Sequence, residues 1–157
     1  MSIVPSLLIL GLVTFVALLI ALKNPQRQKN SRLSRAAAKI LLLATLVQTL
    51  HFTEEAFTGF AEKFPALFGL PAMPLPVFTG FNLIWISIWL AAIPGLHRAK
   101  PWALFAAWFL ALAGLINGIA HPLLSIITGG YFPGLITSPF IGAVGVWLGL
   151  SLRRAAD

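Results

Sequence analysis

Apolar runs close to the length of a membrane-spanning helix recur along this chain and constrain its fold more than any other feature. A transmembrane α-helix needs roughly 20 consecutive, mostly apolar residues. Runs of this kind occupy about 3–22, 36–57, 77–96 and 101–127, with a shorter, Gly-rich run at about 140–152. The chain is 59% hydrophobic and 10% charged, whereas a soluble domain carries about 25% charged residues. We therefore predict an all-α integral membrane bundle of five transmembrane helices, forming one domain over residues 1–157.

Positive charge lies mainly in short segments between the runs and predicts their orientation. Ten of the eleven basic residues form three clusters: Lys23, Arg27, Lys29, Arg32, Arg35 and Lys39; Arg98 and Lys100; Arg153 and Arg154. Because cytoplasmic loops carry an excess of Lys and Arg, we expect a cytoplasmic loop at 23–35, a cytoplasmic C-terminus and an N-terminus outside. The connections 58–76 and 128–139 are then outer loops, and only Lys63 among the basic residues lies there.

This charge distribution also predicts the location and the partners. We expect a multi-pass protein of the inner (plasma) membrane whose basic segments face anionic lipid headgroups. We do not expect the protein to bind nucleic acid despite its net charge of +7, because the positive residues lie where membrane topology requires them.

Polar side chains interrupt the second run near its end, in the segment His51-Phe52-Thr53-Glu54-Glu55. The chain has only four acidic residues and three histidines, and ionisable groups at membrane depth are costly and usually functional. Residues three or four apart share one face of a helix, so the imidazole and both carboxyl groups fall on one stripe with Gln48. Asn117 and His121, also four apart, form a second polar pair in the fourth run.

Depth predicts that these groups meet. A helix rises about 1.5 Å per residue, which places His51 and Glu55 roughly 22 and 28 Å from the cytoplasmic end of their helix. Asn117 and His121 come out at roughly 24 and 30 Å on the same measure. Asn82, in the third run, lies at roughly 21 Å. We expect one polar site in the outer half of the membrane.

Adjacent carboxylates cannot both stay ionised in a low-dielectric site without a cation. Either a metal is bound, or a carboxyl group is protonated, or charged histidines pair with the carboxylates. The chain has no cysteine, so a metal would take nitrogen and oxygen ligands. His51 and His121, with Glu55 or alternatively Glu54, supply the two imidazoles and one carboxylate that are typical of catalytic zinc and non-haem iron sites. We take His51, Glu55 and His121 as the ligand set.

The remaining polar residues receive roles around this ligand set, with zinc or iron as the expected cofactor. Glu54 is predicted to be the general base, by partial analogy with an inverted zinc-protease motif. Glu55 is counted as catalytic as well as metal-binding. Asn117 is an orienting group, and Tyr131 is expected to cap the site from the outer loop.

Several functions fit this site. The leading hypothesis is a metal-dependent hydrolase or lipid-modifying enzyme whose lipid or apolar substrate enters laterally. The second is a metal-free isomerase, in which one Glu or His donates a proton and its neighbour removes one. The third is a small ion-coupled transporter or a subunit of a larger complex, although the chain shows no inverted repeat. Hydrogen bonding within the bundle alone is a fourth explanation. Gly142, Gly145 and Gly149 favour close helix packing and allow a homodimer.

The segment His51-Phe52-Thr53-Glu54-Glu55 resembles the signature of the HXXEE family of small bacterial membrane proteins. The resemblance covers about 41–146 and extends to Asn117 and His121 and to Tyr131-Phe132-Pro133-Gly134, with Thr137 and Ser138 after it. It implies that these residues act as a set, and it implies no particular reaction. A weaker likeness is to the five-helix sterol isomerases of the emopamil-binding type, which also place a His and a Glu four apart on a membrane helix. That likeness implies a sterol-like substrate, but this chain lacks a second acidic residue on another span.

Overall fold

In the computed structural model, the described residues are 4–23, 31–98 and 100–156, and their regular structure is entirely helical. The helices are α1 (Val4–Lys23), α2 (Ser31–Thr58), α3 (Phe60–Ala66), α4 (Leu75–His97), α5 (Pro101–Thr128) and α6 (Ser138–Ala156). The all-α prediction is confirmed over this part of the chain. Most of the predicted basic loop, residues 24–30, lies outside the described residues.

Three helical segments are long and apolar enough to cross a membrane: Arg35–Thr58 within α2, α4 and α5. The apolar stretch Leu8–Lys23 of α1 is shorter. The lengths and compositions therefore suggest a membrane protein. The five spans and their orientation remain a prediction.

The surface of α2 supports a membrane environment because its polarity is the reverse of that of a soluble helix. Its buried side chains include the polar residues Thr45, Gln48, His51 and Glu55. Its exposed side chains include Leu42, Leu46, Leu50 and Phe57. Contact with water would favour the opposite arrangement, so we infer that the apolar face meets lipid.

The described residues contain six helices where the sequence predicts five, because the expected outer loop at 58–76 contains the short helix α3. Gly59, at φ 86°, separates α3 from α2, and this left-handed conformation favours glycine. Helix α2 begins at Ser31 and not near residue 36, and α6 extends beyond the predicted 140–152. An apolar run marks the part of a helix suited to lipid, and the helical backbone continues past it into polar residues.

The two helices that carry the predicted site lie between two others. Helices α4 and α6 each pack against both α2 and α5, and α1 packs along α5. Glycines bring α5 and α6 close together: a Cβ atom on Gly118 would lie 2.7 Å from the Cα atom of Gly142. Gly145 is equally close to α5, where its Cβ atom would lie 2.8 Å from the carbonyl oxygen of Ala111. The glycines of α6 thus pack within the chain, and the homodimer remains a prediction.

Candidate metal centre

Two histidines and a glutamate come together where α2 and α5 face each other. His51 and Glu55 lie four residues apart on α2, and His121 lies on α5. Their exposed fractions are 0%, 4% and 3%. One ligand atom from each residue lies within 4.8 Å of the others. The sequence prediction that these three side chains meet is therefore confirmed.

The spacing within this group suits metal ligands better than direct hydrogen bonds. Glu55 Oε1 lies 3.6 Å from His51 Nε2 and 3.4 Å from His121 Nε2. Hydrogen bonds between such atoms are usually about 2.7–3.2 Å long. Two ligand atoms that each lie about 2.1 Å from a tetrahedral metal are about 3.4 Å apart. The two distances from Glu55 to the histidines therefore suit ligands that share one metal ion.

The loop between α5 and α6 determines which nitrogen of His51 carries a proton. Thr137 Oγ1 donates a hydrogen bond to Glu54 Oε2 at 2.5 Å and lies 2.8 Å from His51 Nδ1. A threonine hydroxyl has one proton, and the carboxylate takes it. His51 Nδ1 must therefore carry a proton and donate it to Thr137, which leaves Nε2 as the free lone pair of the neutral ring.

The same loop determines the tautomer of His121. Its Nδ1 lies 2.5 Å from the carbonyl oxygen of Pro133. A carbonyl oxygen only accepts, so Nδ1 is the donor and Nε2 again carries the lone pair. Two imidazole lone pairs and the carboxylate of Glu55 consequently face one another with no proton of their own between them.

Glu54 faces the loop and not the three ligands. Its Oε1 accepts hydrogen bonds from Tyr131 Oη at 2.5 Å and from the Ile136 backbone N–H at 3.0 Å. Its Oε2 accepts the Thr137 hydroxyl and the Thr137 backbone N–H, the latter at 2.8 Å. Four donors from one loop therefore hold both oxygens of this carboxylate.

Tyr131 contacts the motif through the hydrogen bond that its hydroxyl donates to Glu54. Desolvation by burial and the hydrogen bond to Glu54 raise the pKa of Tyr131 above its usual value of 10.0. The phenol therefore remains a hydrogen-bond donor across the physiological range. The capping role predicted for Tyr131 and the base role predicted for Glu54 stay predictions.

Gly134 allows the backbone of the loop to pack against both imidazole rings. Its φ is +89°, and a Cβ atom there would lie 2.6 Å from His121 Nδ1 and 2.8 Å from His51 Cε1. The backbone of the loop thus lies directly against the two rings, where no side chain fits.

Comparison with known proteins bears on these residues. Residues 42–148 match the model of a family described as protein of unknown function with HXXEE motif. The chain belongs to the HXXEE family. The match includes the motif on α2, all of α5 and the loop that follows it, whereas α1 lies outside it. The searches of curated proteins and of solved structures each found no match.

Next to the HXXEE motif is a cavity of about 190 Å³. Helices α1, α2, α4 and α5 all contribute to its wall, and Glu55 and His121 line one part of it. Asn82 and Asn117 also line it. The predicted amides therefore share the cavity with two of the ligands, and the orienting role of Asn117 remains a prediction.

Sequence reasoning assigned no role to Thr137 or to the carbonyl oxygen of Pro133. Thr137 is 86 positions from His51 and 83 from Glu54, so no helical spacing relates them. The one signal was the resemblance to the HXXEE family, which included the Tyr131-Phe132-Pro133-Gly134 segment and Thr137 without explaining them.

Proposed function

We propose that this member of the HXXEE family is a membrane enzyme that uses a metal ion held by His51, Glu55 and His121 to act on a lipid or another apolar molecule. The observation that carries the proposal is the convergence of two imidazole lone pairs and one carboxylate oxygen in a buried site. Three acceptors that face one another are stabilised by a cation, and two His with one carboxylate leave a coordination position open for water or substrate.

The other residues hold the ligands in place. Metal-binding histidines commonly donate their second ring N–H to a carboxylate or a backbone carbonyl, as His121 does to Pro133 and as His51 does to Glu54 through Thr137. A bound zinc or iron ion would supply Lewis-acid chemistry and an activated water. We propose that Glu54 is a positioning residue, because its two oxygens are committed to the loop.

The residues that line the cavity support an apolar substrate. The cavity wall contains apolar side chains of α1, such as Leu10 and Val13, together with Phe78 and Phe81 of α4. In the described part of the chain, α1 and α4 are not packed along each other. We propose that a substrate enters between these two helices from the lipid, in the outer half of the membrane.

Metal-free acid/base chemistry is the alternative, and the burial of Glu55 favours it. A protonated Glu55 would offer its proton to His51 Nε2 or His121 Nε2. To shift a double bond, it would give that proton to one carbon of the substrate while a neighbouring imidazole removes a proton from another. Such an isomerase would retain its activity in the presence of chelators.

The first experiment is the metal content of the detergent-purified protein, by mass spectrometry, in the wild type and in His51→Ala, His121→Ala and His97→Ala. Nearly one zinc or iron per chain is expected in the wild type and in His97→Ala, whose substitution lies in the last turn of α4. Both other variants should lose it. A folded wild type that holds no metal after exposure to zinc and iron would refute the metal centre and favour the acid/base alternative.

A further inference from the structure

The cavity contains a second polar site, separate from the metal ligands. Within the described chain, four buried side-chain atoms have no hydrogen-bond partner: Gln48 Oε1, His51 Nε2, Asn82 Nδ2 and Trp89 Nε1. The His51 atom belongs to the candidate metal centre. Gln48, Asn82 and Trp89 are 1%, 6% and 1% exposed, and all three line the cavity. Native proteins leave few buried polar atoms unpaired, so three in one cavity require a partner.

Helix geometry places Gln48 and Trp89 deeper along the cavity than Glu55 and His121, and it places Asn82 at about the level of His51. Gln48 precedes Glu55 by seven residues on α2, which puts it on the same face about 10 Å away along the axis. Asn82 and Trp89 are likewise seven residues apart on one face of α4. Long helical side chains extend toward the N-terminus, so the indole of Trp89 extends toward the level of Asn82.

The wall around this second site is aromatic and uncharged. Trp85 stacks on Phe109 with ring centroids 4.0 Å apart, and Phe52 stacks on Trp89 at 6.3 Å. Among the residues that the structure describes, Glu55 and His121 are the only ionisable ones that line the cavity. A charged group at the deep end would therefore be buried without a counter-charge, which is very costly.

We propose that Gln48, Asn82 and Trp89 bind the hydroxyl group of a neutral, largely apolar alcohol, so that the substrate class is a lipid alcohol. The amide N–H of Asn82 and the indole N–H of Trp89 donate, and the oxygen of Gln48 accepts. A hydroxyl group is the smallest group that accepts from such donors and also donates to such an acceptor. The inference rests on the proposed function, since it adds the group by which the substrate is held while another part of it reaches the metal centre.

The test compares two ligands that differ only in this hydroxyl. Hexadecanol and hexadecyl methyl ether, each carrying the same photoreactive group, are titrated onto the full-length protein in lipid nanodiscs, and crosslink yield gives their Kd values. The alcohol should bind about tenfold more tightly than the ether, the effect of roughly one well-made hydrogen bond. In Gln48→Leu the two Kd values should become equal, because Gln48 accepts the one proton that the ether lacks. Asn82→Leu should raise both Kd values and keep their ratio, because the alcohol and the ether oxygen both accept from Asn82. Ser87→Ala, on an exposed face of α4, should keep the difference.

Thermal unfolding of the same variants separates ligand binding from a structural role. Asn82→Leu removes a donor that has no partner in the protein, so its Tm should equal or exceed that of the wild type. A lower Tm for Asn82→Leu, or equal Kd values in the wild type, would overturn the proposal, the latter because water alone would then satisfy these atoms.

His121→Ala distinguishes this inference from the proposed function. The variant should lose metal and keep the preference for the alcohol. If the preference is lost in His121→Ala and kept in Gln48→Leu, the hydroxyl binds at the metal centre and the second site is refuted. If the wild type holds no metal but the preference depends on Gln48, the metal proposal fails and the alcohol site stands.

Discussion

At the scale of single residues, the hydroxyl of Thr137 and the imidazole of His51 connect the two glutamates of the HXXEE motif. The hydroxyl donates to Glu54 and accepts from His51, whose other nitrogen faces Glu55. Glu54 therefore acts on the candidate centre through a hydroxyl and an imidazole. The two adjacent glutamates thus have different partners, since Glu54 contacts the loop and Glu55 faces the two histidines.

Replacing Thr137 with valine should weaken metal binding. The substitution keeps the shape of the side chain but removes the acceptor of His51 Nδ1–H, and the loss of such an outer partner typically costs about 10–100-fold in metal affinity. Thr137→Ser should restore the affinity, and Thr128→Val, on the exposed end of α5, should not change it. Competition with a chromophoric chelator measures all three. Equal affinity in Thr137→Val and the wild type would show that the hydroxyl does not position His51.

Glu54→Gln distinguishes a positioning residue from a general base. The amide would present N–H donors to a loop that already offers donors to both oxygens, so the loop should loosen and metal affinity should fall about 10–100-fold. A general base would be lost without any change in metal affinity. The chelator competition assay decides between them, with the exposed Glu62→Gln as the control.

At the scale of structural elements, the loop between α5 and α6 is as much a part of the site as the helices. It supplies a hydrogen-bond partner to each histidine and four donors to the Glu54 carboxylate. Phe132 of this loop is buried against Phe60 of α3. The loop is therefore fixed at both its polar and its apolar contacts.

Gly134→Ala should disrupt the loop more than a matched substitution does. An alanine in the left-handed conformation costs about 1–2 kcal/mol, and Gly129→Ala (φ +72°, with no atom within 4 Å of the added Cβ) should show that cost alone. Gly134→Ala adds contacts below 3.0 Å with both imidazoles. Its Tm should be lower than that of Gly129→Ala, and its metal affinity should fall. Similar values for the two variants would show that the loop adapts and does not press on the rings.

The sequence predicts the helical part of the site well and its loop poorly, for a physical reason. The repeat of the α-helix and its rise per residue place His51, Glu55 and His121 on facing surfaces at one depth, as observed. Tyr131 and Thr137 reach Glu54 across 77 and 83 positions through a turn whose path no periodicity describes. The sequence predicts a loop where helix α3 lies, because the seven residues of α3 include Pro65 and proline usually indicates a loop.

At the scale of the whole molecule, the candidate metal centre and part of the cavity wall come from different regions of the chain. The ligands and the loop lie within residues 42–148, which match the HXXEE family, whereas α1 lies before them. Ile9, Leu10 and Val13 of α1 nevertheless form part of the cavity wall. The three candidate ligands thus belong to the part that matches the family, and the part of the cavity wall where we propose that substrate enters is formed partly by a helix outside it.

Whether α6 crosses the membrane decides on which side the end of α6 lies. By length and composition, α6 is not among the segments that could cross. The natural chain has no cysteine, so single substitutions at the exposed residues Lys63, Arg98 and Arg154 can be labelled with a membrane-impermeant maleimide. Lys63→Cys should react in intact cells. Arg98→Cys, separated from it by α4, should react only after permeabilisation. Arg154→Cys should behave like Arg98→Cys, because α5 and α6 together return the chain to the cytoplasmic side. If Arg154→Cys reacts in intact cells, α6 does not cross, and the cluster of Arg153 and Arg154 lies outside, against the charge rule that predicts the topology.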